Sequence, residues 1–271
     1  MGQSEQSVLQ RKNQTSKLMC CSRLLIGLPK VVIVQKLLSS VLVMLPMASY
    51  AFTKVPSVPE DMPKWRIGYA MSSLYPAKIT EAYGVNEEKD WTSFVHNDMH
   101  YMRRTELSRI RQDIADYDGF GLVLGTPVTK IGQVAGTQTL PDSIYIYWAS
   151  ISNQRFFTTK WDLSPNIKTV MSTKETYTRW DGVVRDCYRT DMIFGFLPNG
   201  NSKVWLRGCG EYKYITEITP DAELDADTFG NNAEIYKANY SDRIAERAKQ
   251  AGVSIDPIPW DKVNKVYSDI N

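Results

Sequence analysis

The chain has 271 residues, and its 32 Lys and Arg residues against 30 Asp and Glu residues give a formal net charge of +2. Six of those cations and one of those carboxylates precede Phe52, so the chain from Phe52 onward is near −3. This balance leaves no basic stripe and argues against nucleic acid as a partner. The roughly 220 residues from Phe52 onward suffice for one large domain.

The N-terminal region has the features of a secretory signal peptide. Residues 37–51 form an uncharged, mainly apolar run preceded by cationic residues, and this run is shorter than the ~20 residues of a membrane-spanning helix. Ser49 and Ala51 place small residues three positions and one position before a cut. We therefore predict a signal peptide over residues 1–51, cleavage between Ala51 and Phe52, and a periplasmic protein. An uncleaved inner-membrane anchor and a buried core helix are the alternatives.

The rest of the chain divides by composition. Residues 52–64 contain repeated Pro residues and are predicted as an extended linker. Residues 65–218 carry strand patterns separated by turn signals, which predicts a β domain. Within it, residues 86–121 are charged and place apolar residues three and four positions apart, which favours a helical insertion. Residues 219–271 are predicted as a C-terminal helical segment packed on the β domain. The fold class is mainly β (α+β): an antiparallel β-sandwich-like sheet with a helical insertion and a C-terminal helix.

Two stretches give the clearest strands. In residues 144–150, IYIYWAS, bulky side chains occupy both faces, as in a central strand. Residues 192–197 and 203–207 flank the sequence Pro198-Asn199-Gly200, in which Pro presets a turn and Asn-Gly tolerates positive φ. These residues predict a β-hairpin.

Cys187 and Cys209 bracket that hairpin. They are the only two cysteines after the predicted leader, and an even pair in an exported protein predicts a disulfide. The ends of a hairpin lie close together, which suits the ~4.4–6.8 Å Cα separation of a disulfide. A metal-binding pair or a catalytic thiol is the alternative, but no His lies nearby in the sequence.

These strands resemble the bacterial domain-of-unknown-function 2931 family over roughly residues 63–218. That family is similar in having a Pro-led IYVxW strand and a later GLxPGGxVxVWLxG hairpin. The first motif corresponds to Pro141, Ile144, Tyr145, Ile146 and Trp148. The second corresponds to Gly195, Pro198, Gly200, Val204, Trp205 and Gly208. The resemblance implies a fold and an exported protein but no established chemistry. Many members look like lipoproteins, whereas this leader ends in Ala51.

Five aromatic residues form the candidate binding surface, because aromatic side chains can line a sugar or peptide cleft. Packing on a sheet face is the competing interpretation, since aromatic residues are common in strands. The five are Tyr145, Tyr147, Trp161, Trp180 and Trp205.

The sequence predicts no catalytic, cofactor or metal site. His96 and His100 would share one face of a helix, as in zinc-binding pairs, but no third ligand is identifiable. Asp181, Asp186 and Asp191 recur every five residues, and paired carboxylates can perform acid–base chemistry. Solvent-exposed charges give such spacings as well.

The function that this pattern favours is a non-enzymatic, exported binding protein whose partner is another protein. A more specific version is an inhibitor or immunity-type protein against a toxic effector. One alternative is a periplasmic hydrolase that uses the three aspartates, and another is a structural component of the cell envelope. Contact with a membrane is expected only through a retained leader.

Overall fold

The computed structural model describes residues 58–100, 104–125, 128, 131–132 and 139–269, and for 95–100 and 131–132 it describes the backbone alone. The predicted signal peptide, its cleavage site and residues 52–57 of the predicted linker lie outside the described residues. The chain from Phe52 onward forms one compact unit. None of the helices in the described part of the chain is long and apolar enough to cross a membrane.

The described residues contain strands in two large sheets, two small two-stranded sheets and four helices. The first large sheet is built from β1 (Arg66–Ala70), β5 (Ile131–Gly132), β10 (Asp191–Phe196), β11 (Ser202–Gly208) and β12 (Glu211–Ile218). The second is built from β2 (Ala77–Asn86), β3 (Trp91–His100), β6 (Ser143–Ser150), β7 (Arg155–Asp162) and β13 (Ala222–Leu224). The small sheets pair β4 (Leu122–Leu124) with β14 (Val266–Ser268) and β8 (Glu175–Thr178) with β9 (Val184–Cys187). The helices are α1 (Leu107–Asp113), α2 (Pro165–Ser172), α3 (Ala233–Ala251) and α4 (Trp260–Val263).

The two large sheets form a sandwich. Their strand orders are β12-β11-β10-β1-β5 and β13-β7-β6-β2-β3. Neighbouring strands of these sheets pair antiparallel, except that β1 and β10 run parallel. The predicted mainly β, antiparallel, sandwich-like fold is therefore confirmed.

Aromatic rings from both sheets meet in the core between them. Trp148 of β6 lies 4.5 Å, ring centroid to ring centroid, from Phe196 of β10, and Trp161 of β7 lies 5.8 Å from Phe194. Ile144, Ile146 and Trp148 alternate inward along β6 and are all buried. Each large side chain buried in this way contributes roughly 1.5–3 kcal/mol, so these inward positions hold the sheets together.

Helix α3 is the longest helix in the described part of the chain, and both of its ends carry clear sequence signals. The Asn232 side chain accepts a hydrogen bond from the backbone N–H of Ile235, and Gly252 ends the helix with a left-handed backbone at φ 66°. The buried face of α3 carries Tyr236, which stacks edge-to-face on Phe156 of β7 at 4.9 Å. Helix α3 therefore covers one end of the outer face of the second sheet.

The segment 86–121 contains a helix, as predicted, but α1 occupies only seven residues of it. Ten residues of the segment form strand β3, which pairs with β2 along its length. Trp91 and Phe94 are aromatic strand residues, and pairing with the long neighbouring strand outweighs the charged composition that suggested helix. The apolar residues with helical spacing are Leu107, Ile110, Ile114 and Tyr117. Ile110 and Tyr117 are buried, but α1 ends before Ile114.

Gly208, a glycine of the second family motif, lies where the end of β11 closely approaches the backbone that leads into β10. A Cβ atom on Gly208 would lie 2.1 Å from the carbonyl oxygen of Tyr188 and 2.7 Å from the Cα of Arg189. Both are backbone atoms, which cannot rotate away.

We expect Gly208→Ala to lower the free energy of unfolding by about 3 kcal/mol, because the methyl group forces two backbone segments apart. Gly230→Ala is the matched control: a Cβ there meets nothing within 4 Å, so only its positive φ of 82° costs energy, about 1 kcal/mol. Urea denaturation of both variants makes the comparison. Equal losses of stability would contradict this account of Gly208.

Candidate functional site

A β-hairpin projects from the sandwich and is not part of either large sheet. Strands β8 and β9 pair only with each other, over four residue pairs from Glu175–Cys187 to Thr178–Val184. We call residues 175–187 the arm. At four residue pairs, the arm is about 13 Å long.

The arm ends in a tight loop. The backbone N–H of Arg179 donates to the carbonyl of Val183, and Gly182 takes a positive φ of 79° that completes a three-residue loop. The Asp181 carboxylate accepts a hydrogen bond from the backbone N–H of Val183 at 3.2 Å. The loop therefore has a defined backbone shape and places Trp180 at its tip.

The arm exposes three apolar side chains at and near its tip. Trp180 is 92% exposed, and Val184 and Val183, which follow the loop in the chain, are 62% and 42% exposed. Isolated exposed apolar residues are common, but a nearly bare Trp with two further exposed apolar residues in the same hairpin is of the kind that marks interaction surfaces. Trp180 is the most exposed large apolar residue in the described part of the chain.

A disulfide anchors the base of the arm. Cys187, the last residue of β9, is bonded to Cys209 in the turn between β11 and β12, with a Cα–Cα distance of 5.2 Å. The predicted Cys187–Cys209 pairing is therefore confirmed. On the same turn, the ring of Tyr177 lies against Gly210, where an added Cβ would be 3.1 Å from it. The arm is thus joined covalently and by packing to the first sheet.

An arginine makes a second attachment at the base. The buried guanidinium of Arg189 donates to both carboxylate oxygens of Glu175 and, through Nε, to Glu211 of β12 at 2.9 Å. The hydrogen bonds from Arg189 hold the pKa of Glu175 below its ordinary value of 4.5. Arg189 therefore joins the first residue of the arm to the edge strand of the sandwich at neutral pH.

A cleft of about 350 Å³ lies between the arm base and the first sheet. Three cross-strand neighbours line it: in the strand register, Asp191 of β10 lies opposite Arg66 of β1 on one side and opposite Arg207 of β11 on the other. The buried Asp191 carboxylate accepts two hydrogen bonds from Arg66, at 2.6 and 2.8 Å, and its Oδ2 lies 3.6 Å from Nη1 of Arg207. Both guanidinium groups are partly exposed, and the arm contributes Tyr177 to the lining.

The structure separates the five predicted binding residues. Trp161 and Trp205 are 6% and 4% exposed and belong to the core, so their assignment to a binding surface was wrong. Their strands have a second buried face, which a period-two pattern alone does not reveal. Trp180 lies at the arm tip, far along the chain from Tyr145 and Tyr147, which are half-buried on the outer face of the second sheet.

The two tyrosines belong to a row of stacked rings across the second sheet. Tyr83 of β2 stacks on Tyr145 at 5.0 Å and contacts Phe94 of β3 at 6.1 Å, while Lys160 of β7 lies 5.8 Å from the Tyr145 ring. Each member faces its cross-strand partner in the register. The rings cover one another's faces, so the row stabilises the sheet rather than offering a flat stacking platform.

Of the three aspartates that could have formed an acid–base set, Asp186 and Asp191 line the same cleft and Asp181 does not. Asp181 lies in the arm loop beside Arg179 at 3.2 Å, and Asp186 lies on β9 with Lys174 at 3.6 Å. Asp191 is buried in the first sheet against Arg66 (see above). Each carboxylate therefore has its own cation.

The histidine pair does not have helical spacing. His96 and His100 lie on strand β3, where residues four apart are about 13 Å apart along the chain, beyond the reach of one metal ion. Among the described residues, no group of three or more His, Cys, Asp or Glu side chains could hold a metal ion.

The arm was not predicted from the sequence, although the sequence contains a signal for it. Asp181-Gly182 lies between Tyr177-Thr178 and Val183-Val184, and Asp-Gly between strand-forming residues is a strong hairpin signal. The roles of Arg189, Arg66 and Arg207 had no local signal, because their partners come from distant parts of the chain.

Fold and surface together define a class: a two-sheet α+β sandwich that carries a disulfide-anchored arm. A family model, described as a protein of unknown function (DUF2931), matches residues 53–261. The chain belongs to this family. No curated protein and no solved structure matches it.

Removing the disulfide tests how the arm is held. We expect the double variant Cys187→Ser, Cys209→Ser to lose roughly 3 kcal/mol of stability, because the bond closes a loop with a sequence separation of 22 residues. Amide hydrogen exchange should speed up most in the arm, since few other contacts hold it. Reduced wild-type protein is the control and should behave as the variant does. Unchanged exchange in the arm would show that the disulfide does not hold it.

The Arg189–Glu175 contact predicts a pH dependence at the arm base. The pKa of Glu175 is lowered in the folded protein, so the contact stabilises the fold above pH 4.5 and is lost as the pH falls through the lowered pKa. An NMR titration of the Glu175 carboxyl carbon should give a midpoint below 4.5. In Arg189→Gln the midpoint should rise, and an unchanged midpoint would rule out Arg189 as the cause.

Proposed function

We propose that this protein is an exported, non-enzymatic binding protein and that the arm is its binding element. The observation that carries the proposal is the position of Trp180, almost fully exposed at the tip of a hairpin whose base is fixed by a disulfide and by Arg189. Trp is among the residues most often found to dominate the affinity of protein interfaces.

The construction of the arm favours a protein partner. A braced hairpin loses little conformational entropy on binding, so more of the contact energy appears as affinity. Burial of Trp180, Val183 and Val184 in a partner's groove would remove the apolar tip from water. A polar small molecule would gain nothing from a convex apolar tip, since small-molecule sites are concave.

Export is supported by the disulfide and by the predicted leader. Disulfides persist in oxidising compartments such as the bacterial periplasm, and the Cys187–Cys209 bond is the one cross-link that the described chain contains. The apolar run over residues 37–51 and the small residues before Phe52 point to the same compartment.

The more specific version is an inhibitor or immunity-type protein, whose arm enters and blocks the cleft of a toxic effector. The projecting shape and the rigid base support it. The hydrolase alternative has less support, because each of the three aspartates faces a cation. A structural role in the cell envelope is an alternative that partner identification distinguishes.

Partner capture with a matched pair of variants tests the proposal. We expect Trp180→Ser to reduce recovery of a stoichiometric protein partner from the periplasm at least tenfold, because a central Trp contributes 2 kcal/mol or more to an interface. Stability should change by less than about 0.5 kcal/mol, since the exposed side chain makes few contacts. Phe229→Ser, at a 52% exposed ring outside the arm, is the control.

Equal recovery of the partner by wild type and Trp180→Ser would reject the arm as the binding element. Recovery of no protein by the wild type would reject the protein-binding function. A cell-wall or membrane assembly as the captured partner would favour the structural alternative, and a toxic enzyme would favour the inhibitor.

A further inference from the structure

Each strand of the arm has one edge without a neighbouring strand, because β8 and β9 pair only with each other. The backbone N–H of Arg179 bonds to the carbonyl of Val183, and hydrogen-bonded pairs then alternate with non-hydrogen-bonded pairs down the arm. Thr178 and Thr176 therefore fall in non-hydrogen-bonded pairs, and their backbone N–H and C=O groups point away from β9. Both threonines are exposed, and nothing in the described part of the chain bonds to these groups.

The edge strands of the two large sheets have features that discourage further pairing. Among the described strands, β12 and β3 each have a register shift against their neighbour, and β13 and β5 are three and two residues long. Strand β8 is short as well, but its ladder is regular, and it contains neither Pro nor Lys. Its Thr and Tyr residues favour strands, so β8 presents an edge of the kind that another strand joins.

The sequence of β8 is complementary to itself. A two-fold antiparallel pairing centred on Tyr177 places this residue opposite Tyr177 of a second copy. Thr176 then lies opposite Thr178, and the outward backbone groups of each such pair exchange two hydrogen bonds. One position further out, Glu175 lies opposite Arg179. Aromatic pairs, Thr–Thr pairs and pairs of opposite charge are all favourable across strands.

The charges at the ends of this pairing already have partners within their own chain. Glu175 is bonded to Arg189, and Arg179 lies 3.2 Å from Asp181. The Glu175–Arg179 alignment therefore contributes little to affinity, but it keeps like charges apart and so favours this register.

The edge of β9 is not complementary to itself in the same way. The equivalent two-fold pairing of β9 is centred on Arg185 and places that residue opposite Arg185 of the second copy. Val184 would lie opposite Asp186. Because like charges directly opposite each other are destabilising, self-pairing is favoured through β8.

We propose that β8 pairs antiparallel with β8 of a second copy of this chain, so that two arms form one four-stranded sheet in the order β9-β8-β8-β9. A sheet of four strands is more stable than an isolated hairpin, and a two-fold contact closes at two copies. The contact is small, so the dimer is weak and depends on concentration. This inference goes beyond the proposed function, since it uses the edge of the arm and not its tip.

Amide hydrogen exchange of the wild-type protein, measured by NMR at a low and a high protein concentration, tests the edge directly. Sedimentation velocity gives the fraction of dimer in the same samples. We expect the amides of Thr176 and Thr178 to exchange more slowly as the dimer fraction rises, because they become hydrogen-bonded. The amides of Val184 and Asp186 should not change, since they lie on the outer edges of the four-stranded sheet.

A pair of Pro variants tests which strand carries the contact. Thr178 and Val184 lie opposite each other in the arm, and neither N–H belongs to its ladder, so Pro at either position removes no hydrogen bond of the arm. Thr178→Pro should weaken dimerisation at least tenfold, because the two-fold axis removes one hydrogen bond in each copy. Val184→Pro is the matched control and should dimerise as the wild type does.

Three results would overturn the proposal: a monomer at every concentration, slower exchange at Val184 and Asp186 in place of the two threonines, or equal effects of the two Pro variants. The exchange of the Tyr177 amide shows whether each variant keeps its arm. If both variants lose it, the exchange pattern of the wild type decides alone. Trp180→Ser alters the tip and not the edge, so this proposal and the proposed function fail separately.

Discussion

The parallel pairing of β1 with β10 is the contact on which both the sandwich and the arm depend. It joins residues 125 positions apart in the sequence and begins at the ion pair between Arg66 and Asp191. Strand β10 is buried along its whole length and carries Phe194 and Phe196 into the core. The residues that lead into it include Cys187 and Arg189, which hold the arm. The position of the arm is therefore set by a strand that cannot shift without opening the core.

An isolated two-stranded hairpin is marginal in water, so the arm requires bracing from outside its own contacts. Its strands expose nearly all of their side chains, and they bury no core of their own. The Cys187–Cys209 bond and the Arg189–Glu175 contact supply that bracing at one end, and the Asp181-Gly182 loop defines the other. This arrangement keeps an exposed apolar tip in one place, which would be unfavourable without a partner to cover it.

Local signals in the sequence predict the sandwich well and the surface poorly. Pro198-Asn199-Gly200 predicts the β10–β11 hairpin because turn chemistry is local, and the pairing of Cys187 with Cys209 follows from that hairpin. Trp161 and Trp205 have the same strand pattern as exposed aromatic residues, and only the layers packed on both faces of their sheets decide their burial. The cleft joins Arg66 to Asp191 through a parallel pairing that no short motif specifies. Charge composition likewise misassigned Trp91 to His100, which tertiary pairing makes a strand.

The most direct test of the account is photocrosslinking from the arm in cells that make the protein. A photoreactive amino acid at position 184 lies on the arm, four residues after Trp180 in the chain, and one at position 223 serves as the control on exposed strand β13. The account predicts one crosslinked protein from position 184, none from position 223, and loss of the crosslink when Trp180→Ser is added. Crosslinking from position 223 alone, or crosslinking from position 184 that persists without Trp180, would contradict the claim that the arm is the binding element.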